Sequence, residues 1–256
     1  MFSTLLVSNM SMALSSYLLA IFLLAAPFSS AQTPLTVAAA SDLSALGPEL
    51  QKAFCQGQSS CAVRFVNASS AILSEQIENG APFDVFMSAN AEYADRLGRS
   101  GKLLPSSIRV YTVGRVGVLW RDGKKHPLRD LATAPVKFVG LPNPKLAPYG
   151  VAAQEALEYA GLWTMVQPKV VYGENVRQTL QLLESGNADV VLTSDSLLQG
   201  KNAEVIPDDW HKPILQKAGL VTASPNREPA RRFLDFLVSA EGQAVFARYG
   251  FGPLPK

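Results

Sequence analysis

The stretch Leu35-Thr36-Val37-Ala38-Ala39-Ala40-Ser41-Asp42-Leu43 runs from a short apolar segment into a hydroxyl and a carboxylate, then into Leu46, Leu50, Ala53 and Phe54 at helical spacing. It reads as a strand feeding a helix through a tight turn, with Gly47-Pro48 either interrupting that helix or marking its true first turn. The pattern recurs. Residues 62–66 read as a strand, Asn67-Ala68-Ser69-Ser70 as the turn, and Ile72, Leu73, Gln76 and Ile77 as a helix stopped at Asn79-Gly80. Residues 84–88 and a helix around 91–97 make a third unit. Three β-then-helix units in succession imply a parallel sheet with right-handed crossovers.

After a long extended segment, 108–120, the alternation restarts with a strand at 136–141 and a helix at 150–160 closed by Gly161. Residues 170–172 precede a helix carrying Val176, Leu180 and Leu183, and Val190-Val191-Leu192 is the next strand. A second extended segment, 213–223, leads to one C-terminal helix bearing Phe233, Leu234, Phe236, Leu237, Val245 and Phe246. The assembly that fits is α/β: two lobes joined by two long strands, with 32–112 and 220–256 forming lobe 1 and 113–219 forming lobe 2. Ligands of such sheets settle at the carboxyl ends of the strands, where loops meet helix N-termini. Both serine turns hold that position in lobe 1, and the starts around Pro148-Tyr149-Gly150 and Asn175-Val176 hold it in lobe 2. A hydroxyl beside free backbone N–H groups at a helix start binds an anion without a cationic side chain.

Composition narrows the class. Residues 1–31 of the 256 carry no charged side chain, include the apolar run 18–26 and end in Ser29-Ser30-Ala31, which reads as a secretory signal peptide cut after Ala31 and places the remaining 225 residues in the periplasm. The run is too short to span a bilayer comfortably, which favours removal over retention as an anchor. The net charge is +2, with no basic run longer than Gly123-Lys124-Lys125-His126, so no nucleic-acid partner is expected. Cys55 and Cys61, the only cysteines, bracket a short polar loop and read as a local disulfide staple in an oxidising compartment. His126 and His211 sit in polar, Pro-adjacent contexts far from both cysteines and read as surface residues; neither a metal-ligand set nor a Ser-His-Asp constellation is assembled, and no Gly-x-Ser-x-Gly elbow occurs. No enzyme and no cofactor are expected.

Ala38-Ala39-Ala40-Ser41, Ala68-Ser69-Ser70 with Gln76-Ile77, Gly80-Ala81-Pro82-Phe83-Asp84-Val85-Phe86, Pro148-Tyr149-Gly150, Glu174-Asn175-Val176-Arg177 and Arg248-Tyr249-Gly250-Phe251 together resemble the periplasmic molybdate-binding proteins of ABC importers, the ModA family, across residues 35–252. The resemblance implies a bilobal type II periplasmic-binding-protein fold that closes over a tetrahedral dianion, molybdate or tungstate, and delivers it as a monomer to an ABC permease of the inner membrane. Sulfate or another small oxyanion is the alternative ligand. It also implies that Ser41 and Ser70 donate hydroxyls, that the amides of Asp42, Tyr149 and Val176 donate N–H groups, and that all these contacts reach the anion's oxygens, with no direct ligation of the metal. Taken singly, Ser41 and Ser70 also read as helix caps. One position departs from the family: where some members offer a tyrosine hydroxyl this chain has Leu192, leaving the Tyr149 hydroxyl as the candidate replacement. The Asp42 carboxylate is expected to point away from the anion, and Arg177 to stay outside the site.

Overall fold

The computed structural model describes residues 34–255. The expected signal segment, 1–31, lies outside the described residues.

The leading strand, β1 (Leu35–Ala40), is buried along its whole length because it occupies the middle of a sheet. It ends in a 3-10 turn, Ser41–Leu43, before α1 (Gly47–Phe54), so Gly47-Pro48 is the first turn of that helix and not a break in it. Next come β2 (Val63–Ala68), α2 (Ser70–Glu78), β3 (Val85–Ser88) and α3 (Ala91–Arg99). β1 pairs in parallel with β2 on one side and β3 on the other, Ala39 facing Asn67 and Met87.

The extended segment expected at 108–120 is two strands, β4 (Arg109–Gly114) and β5 (Val116–Trp120), separated by Arg115 and lying in different sheets. The second sheet is built from β5 with β6 (Val139–Pro142), β7 (Val170–Gly173), β8 (Val190–Ser194) and the two-residue β9 (Glu204–Val205). Its order is β7-β6-β8-β5-β9, with β6 parallel to β7 and β8, and β5 antiparallel to β8 and β9. α4 (Pro148–Tyr159), α5 (Trp163–Val166) and α6 (Val176–Glu184) connect these strands.

The chain returns to the first sheet through β10 (Ile214–Leu220), which lies between β3 and β4 and runs antiparallel to both. The first sheet, in order β2-β1-β3-β10-β4, is therefore mixed, and only its β1, β2 and β3 portion is the parallel unit that the alternation implies. By sheet membership the chain crosses over at Arg115 and again between Val205 and Ile214, so β10, which a lobe boundary at 219/220 assigns to lobe 2, is a strand of the first sheet.

The C-terminal apolar run forms two helices, α7 (Arg227–Leu237) and α8 (Ala240–Arg248), where one was expected. Ser239 ends the run: its Oγ accepts from Gly242 N at 3.2 Å and caps the second helix. Both helices pack Phe233, Leu234, Val245 and Phe246 under the first sheet. A separate core around Leu141, Ala153, Leu157, Leu180 and Val191 supports the second sheet. Cys55 and Cys61 form a disulfide at the end of α1.

Phe233 is fully buried, with its ring edge-on to Phe54 at 5.1 Å and tilted against Phe65 at 6.1 Å. Phe233→Ala should lower stability by about 3–5 kcal/mol, read from the urea midpoint at unchanged slope.

Candidate functional site

The carboxyl ends of β1 and β2 are locked together before either helix begins. The Asn67 side-chain amide donates to the carbonyls of Ala39 and Ala40, each at 3.3 Å, fixing the turn in which Ser41 and Asp42 sit. Ser41 is not a cap: the capping position of its 3-10 turn is Ala40, and the Ser41 hydroxyl is buried with no hydrogen-bond partner among the described residues. In the second turn the capping is done by Ser69, whose Oγ accepts from Ile72 N, which leaves Ser70 in the first helical position. The Ser70 Oγ accepts from Ala89 N at 3.0 Å, so its own proton stays available to donate.

The other lobe presents two helix starts. Pro148 opens α4, where its missing N–H costs nothing, and Tyr149 and Gly150 follow. Gly150 is required there, since a Cβ would drive into the Pro142 carbonyl and block the loop from folding back on β6. α6 is capped by Asn175, whose Oδ1 accepts from Gln178 N at 3.0 Å, and the Val176 carbonyl is held by Thr193 Oγ1 at 2.9 Å. First-turn amides have no intrahelical acceptor and point out of the helix.

These elements meet around one cavity, lined by Ala40, Ser41, Asp42, Ser69, Ser70 and Ala89 on one side and by Ala147, Pro148, Tyr149, Asn175 and Val176 on the other. All five residues expected to contact an anion line it, and no cationic side chain among the described residues does. Arg177 points elsewhere, 3.8 Å from Glu184 at the helix surface. A roomier concavity of about 590 Å³ on the first lobe contains Asp84, but that carboxylate already accepts from Thr36 N, Ser224 Oγ and the Asn226 amide.

The lobes are joined beside the cavity by a buried hydrogen-bond hub. The Tyr149 hydroxyl donates to Asp42 Oδ2 at 2.7 Å, the Gln216 side-chain amide donates to the same oxygen, and Tyr111 donates to Gln216 Oε1. Ser196 Oγ donates to the Asp42 carbonyl at 2.6 Å. The Tyr149 hydroxyl proton is thus committed to Asp42, and Tyr149 does not stand in for a tyrosine at position 192; Leu192 itself is an apolar core residue of β8. What Tyr149 can offer the cavity is its amide. Burial, reinforced by the Asp42 charge, pushes the Tyr149 phenol well above its usual value, so it stays a donor at any physiological pH. Burial also pushes the Asp42 carboxyl above the ordinary carboxylate range, although the bonds from Tyr149 and Gln216 and the neighbouring Asp42 and Leu43 amides oppose the shift. Gln216, Tyr111 and Ser196 were not among the expected site residues. The one sequence signal for them is the polar pair Gln216-Lys217 in the mostly apolar segment 214–220.

Each donor has a separable role. Ser41→Ala removes a hydroxyl that bonds nothing in the protein, so the ligand-free melting temperature should hold while anion affinity falls roughly ten- to a hundredfold, the worth of one charge-assisted bond. Ser70→Ala should lose affinity and also about 1–3 kcal/mol of stability, because the Ala89 amide is left unpaired. Gly114 lies against the hub, where an added Cβ would collide with the Tyr149 hydroxyl and lie 3.0 Å from Gln216 Nε2. Gly114→Ala should destabilise by about 1–3 kcal/mol and weaken anion binding together, measured by denaturation and titration calorimetry.

Residues 35–252 match the family described as bacterial extracellular solute-binding protein. The molybdate-binding protein ModA of Rhodobacter capsulatus is 34% identical over 185 residues, covering 69% of this chain and 71% of its own. The putative ABC transporter substrate-binding lipoprotein YvgL of Bacillus subtilis is 30% identical over 229 residues, covering 87% and 88%. Among solved structures, the periplasmic molybdate-binding protein of Azotobacter vinelandii superposes with a TM-score of 0.79 at 26% identity, covering 87% of this chain and all of that one. All three are named as binding or substrate-binding proteins. The chain belongs to the bacterial extracellular solute-binding proteins and, within them, to the ModA family of periplasmic binding proteins, with the bilobal type II fold.

Proposed function

We propose that this protein captures molybdate, and tungstate as well, in the periplasm and hands it to an ABC permease of the inner membrane. The observation that carries the reading is the cavity itself: the buried Ser41 and Ser70 line it together with residues at helix starts of both lobes, and no cationic side chain among the described residues lines the space. Ser41 and Ser70 donate O–H groups, and Asp42, Tyr149 and Val176 donate N–H groups, all to the oxygens of the anion. Helix N-termini add partial positive charge of about half an elementary charge each, and charge-assisted bonds replace the anion's hydration at about 1.5–3 kcal/mol apiece. A ring of donors also discriminates against protonated anions such as hydrogen phosphate, whose O–H finds no acceptor.

In this reading the first sheet with its helices, β10 included, acts as one jaw and the second sheet with its helices as the other, hinged where the chain crosses between sheets, and the protein works as a monomer with no nucleic-acid partner. The precursor loses residues 1–31 on export. The fold is shared with proteins of other cargo: the sulfate-binding protein SubI of Mycobacterium tuberculosis superposes with a TM-score of 0.71 at 17% identity. Sulfate is therefore the comparison ligand.

Thermal melting of the mature protein decides between them. Molybdate or tungstate at a hundred times its Kd should stabilise by about 2.7 kcal/mol, with sulfate much weaker at equal concentration. A shift with sulfate alone would replace molybdate as the cargo.

A further inference from the structure

Asp42 is an anomaly in an anion site. It lines the cavity, it is fully buried, and its two oxygens are treated differently. Oδ2 accepts from Tyr149 and Gln216, whereas Oδ1 has no partner in good hydrogen-bond geometry among the described residues, the Asp42 and Leu43 amides standing near the carboxyl and opposing its shift without outweighing burial. A buried carboxylate without a cation, beside a dianion, would put three negative charges into one dry space. No neighbouring charge offsets it. On the elements packed around it the charged groups are engaged elsewhere: Arg64 of β2 with Thr36, Arg177 of α6 with Glu184, Glu155 of α4 with Lys212, Lys217 of β10 with Asp95, and Arg109 of β4 with Asp235. Asp195, in the 3-10 turn after β8, accepts from Gln199. The titratable groups that face Asp42 are the two phenols, Tyr149 directly and Tyr111 through Gln216, and both are held neutral by burial.

We propose that Asp42 works in the closed site as a neutral carboxylic acid, so that closure over the oxyanion takes up one proton from solvent, which resides on Oδ1. The inference rests on the reading of the cavity as an oxyanion site and deepens it. Protonation removes the repulsion, supplies the missing hydrogen on the unpartnered oxygen, and leaves Oδ2 as the acceptor for Tyr149 and Gln216. Asp42 then carries no charge beside the anion and offers no anionic acceptor to a protonated one. Burial raises the Asp42 carboxyl in this structure, where both lobes meet on it; opening that lets water reach Asp42 would relieve the burial, so closure takes up a proton and not the reverse. Binding is at full strength near the ordinary carboxylate range and weakens as pH rises through the closed-state value.

Calorimetric titration with micromolar molybdate between about pH 5.5 and 8.5, in buffers of differing ionisation heat, reads the proton directly. In the wild-type protein up to one proton should be taken up per anion, and affinity should fall by up to tenfold per pH unit as uptake proceeds. Asp42→Asn keeps a carbonyl for Tyr149 and carries a donor in place of the acid; it should bind with no uptake and a flat pH profile. Tyr149→Phe removes a bond that favours the ionised acid, so uptake should persist to higher pH. Molybdate binding without uptake in the wild type, or undiminished uptake in Asp42→Asn, overturns the proposal. So does tighter binding of hydrogen phosphate than of molybdate, the mark of an ionised Asp42 acting as acceptor. Sulfate run in parallel separates the two readings: sulfate bound alone with the same uptake displaces molybdate and keeps the role of Asp42.

Discussion

The Asp42 carboxyl is where the two halves of the molecule and the strands between them meet. Tyr149 reaches it from α4, Gln216 from β10, and Ser196 reaches its carbonyl from the turn after β8. Every one of these bonds is buried, so each is strong when made and costly when left half made. The cavity next to the hub inherits its geometry from that requirement. Ser41 precedes Asp42 and Tyr149 lies in the first turn of α4, so the groups that would hold an anion are positioned by the same contacts that hold the lobes together.

A second constraint is the way backbone polarity is used. β1, β2, β6 and β7 are parallel strands whose carboxyl ends all deliver the chain into helical turns, and the turns converge. Other side chains do the bracing: Asn67 ties two strand ends, Asn175 caps α6, and Thr193 pins its first carbonyl. With bracing and capping assigned to other residues, Ser41 keeps both roles of its hydroxyl free and Ser70 keeps its proton. A site made of amides and hydroxyls needs this division of labour, because a serine that caps its own helix has already directed its oxygen lone pairs to that helix.

The local grammar was readable in the sequence: apolar run, serine, helical periodicity, and the ordered motifs at Ser41, Ser70, Tyr149 and Val176. So were the two lobes and the pairing of Cys55 with Cys61. What escaped was decided at long range. Gln216 and Asp42 are 174 residues apart and Ser196 and Asp42 are 154 apart, and nothing in the local pattern of either segment selects the other. The direction of the Tyr149 hydroxyl escaped for the same reason, since its acceptor lies in the other lobe. The split between α7 and α8 was misread because an apolar stripe on both sides of Ser239 hides a capping signal of a single residue.

The position of β10 between β3 and β4 also sets an order of assembly. The second sheet draws on one continuous stretch of chain, from Val116 to Val205, and can close as soon as that stretch is available. The first sheet cannot. Its third and fifth strands have no common neighbour until residues 214–220 arrive, and its core still lacks α7 and α8. Closing it means joining segments separated by more than a hundred residues, the kind of contact that slows folding. The leading half of the chain therefore cannot complete its sheet until residues 214–220 are available.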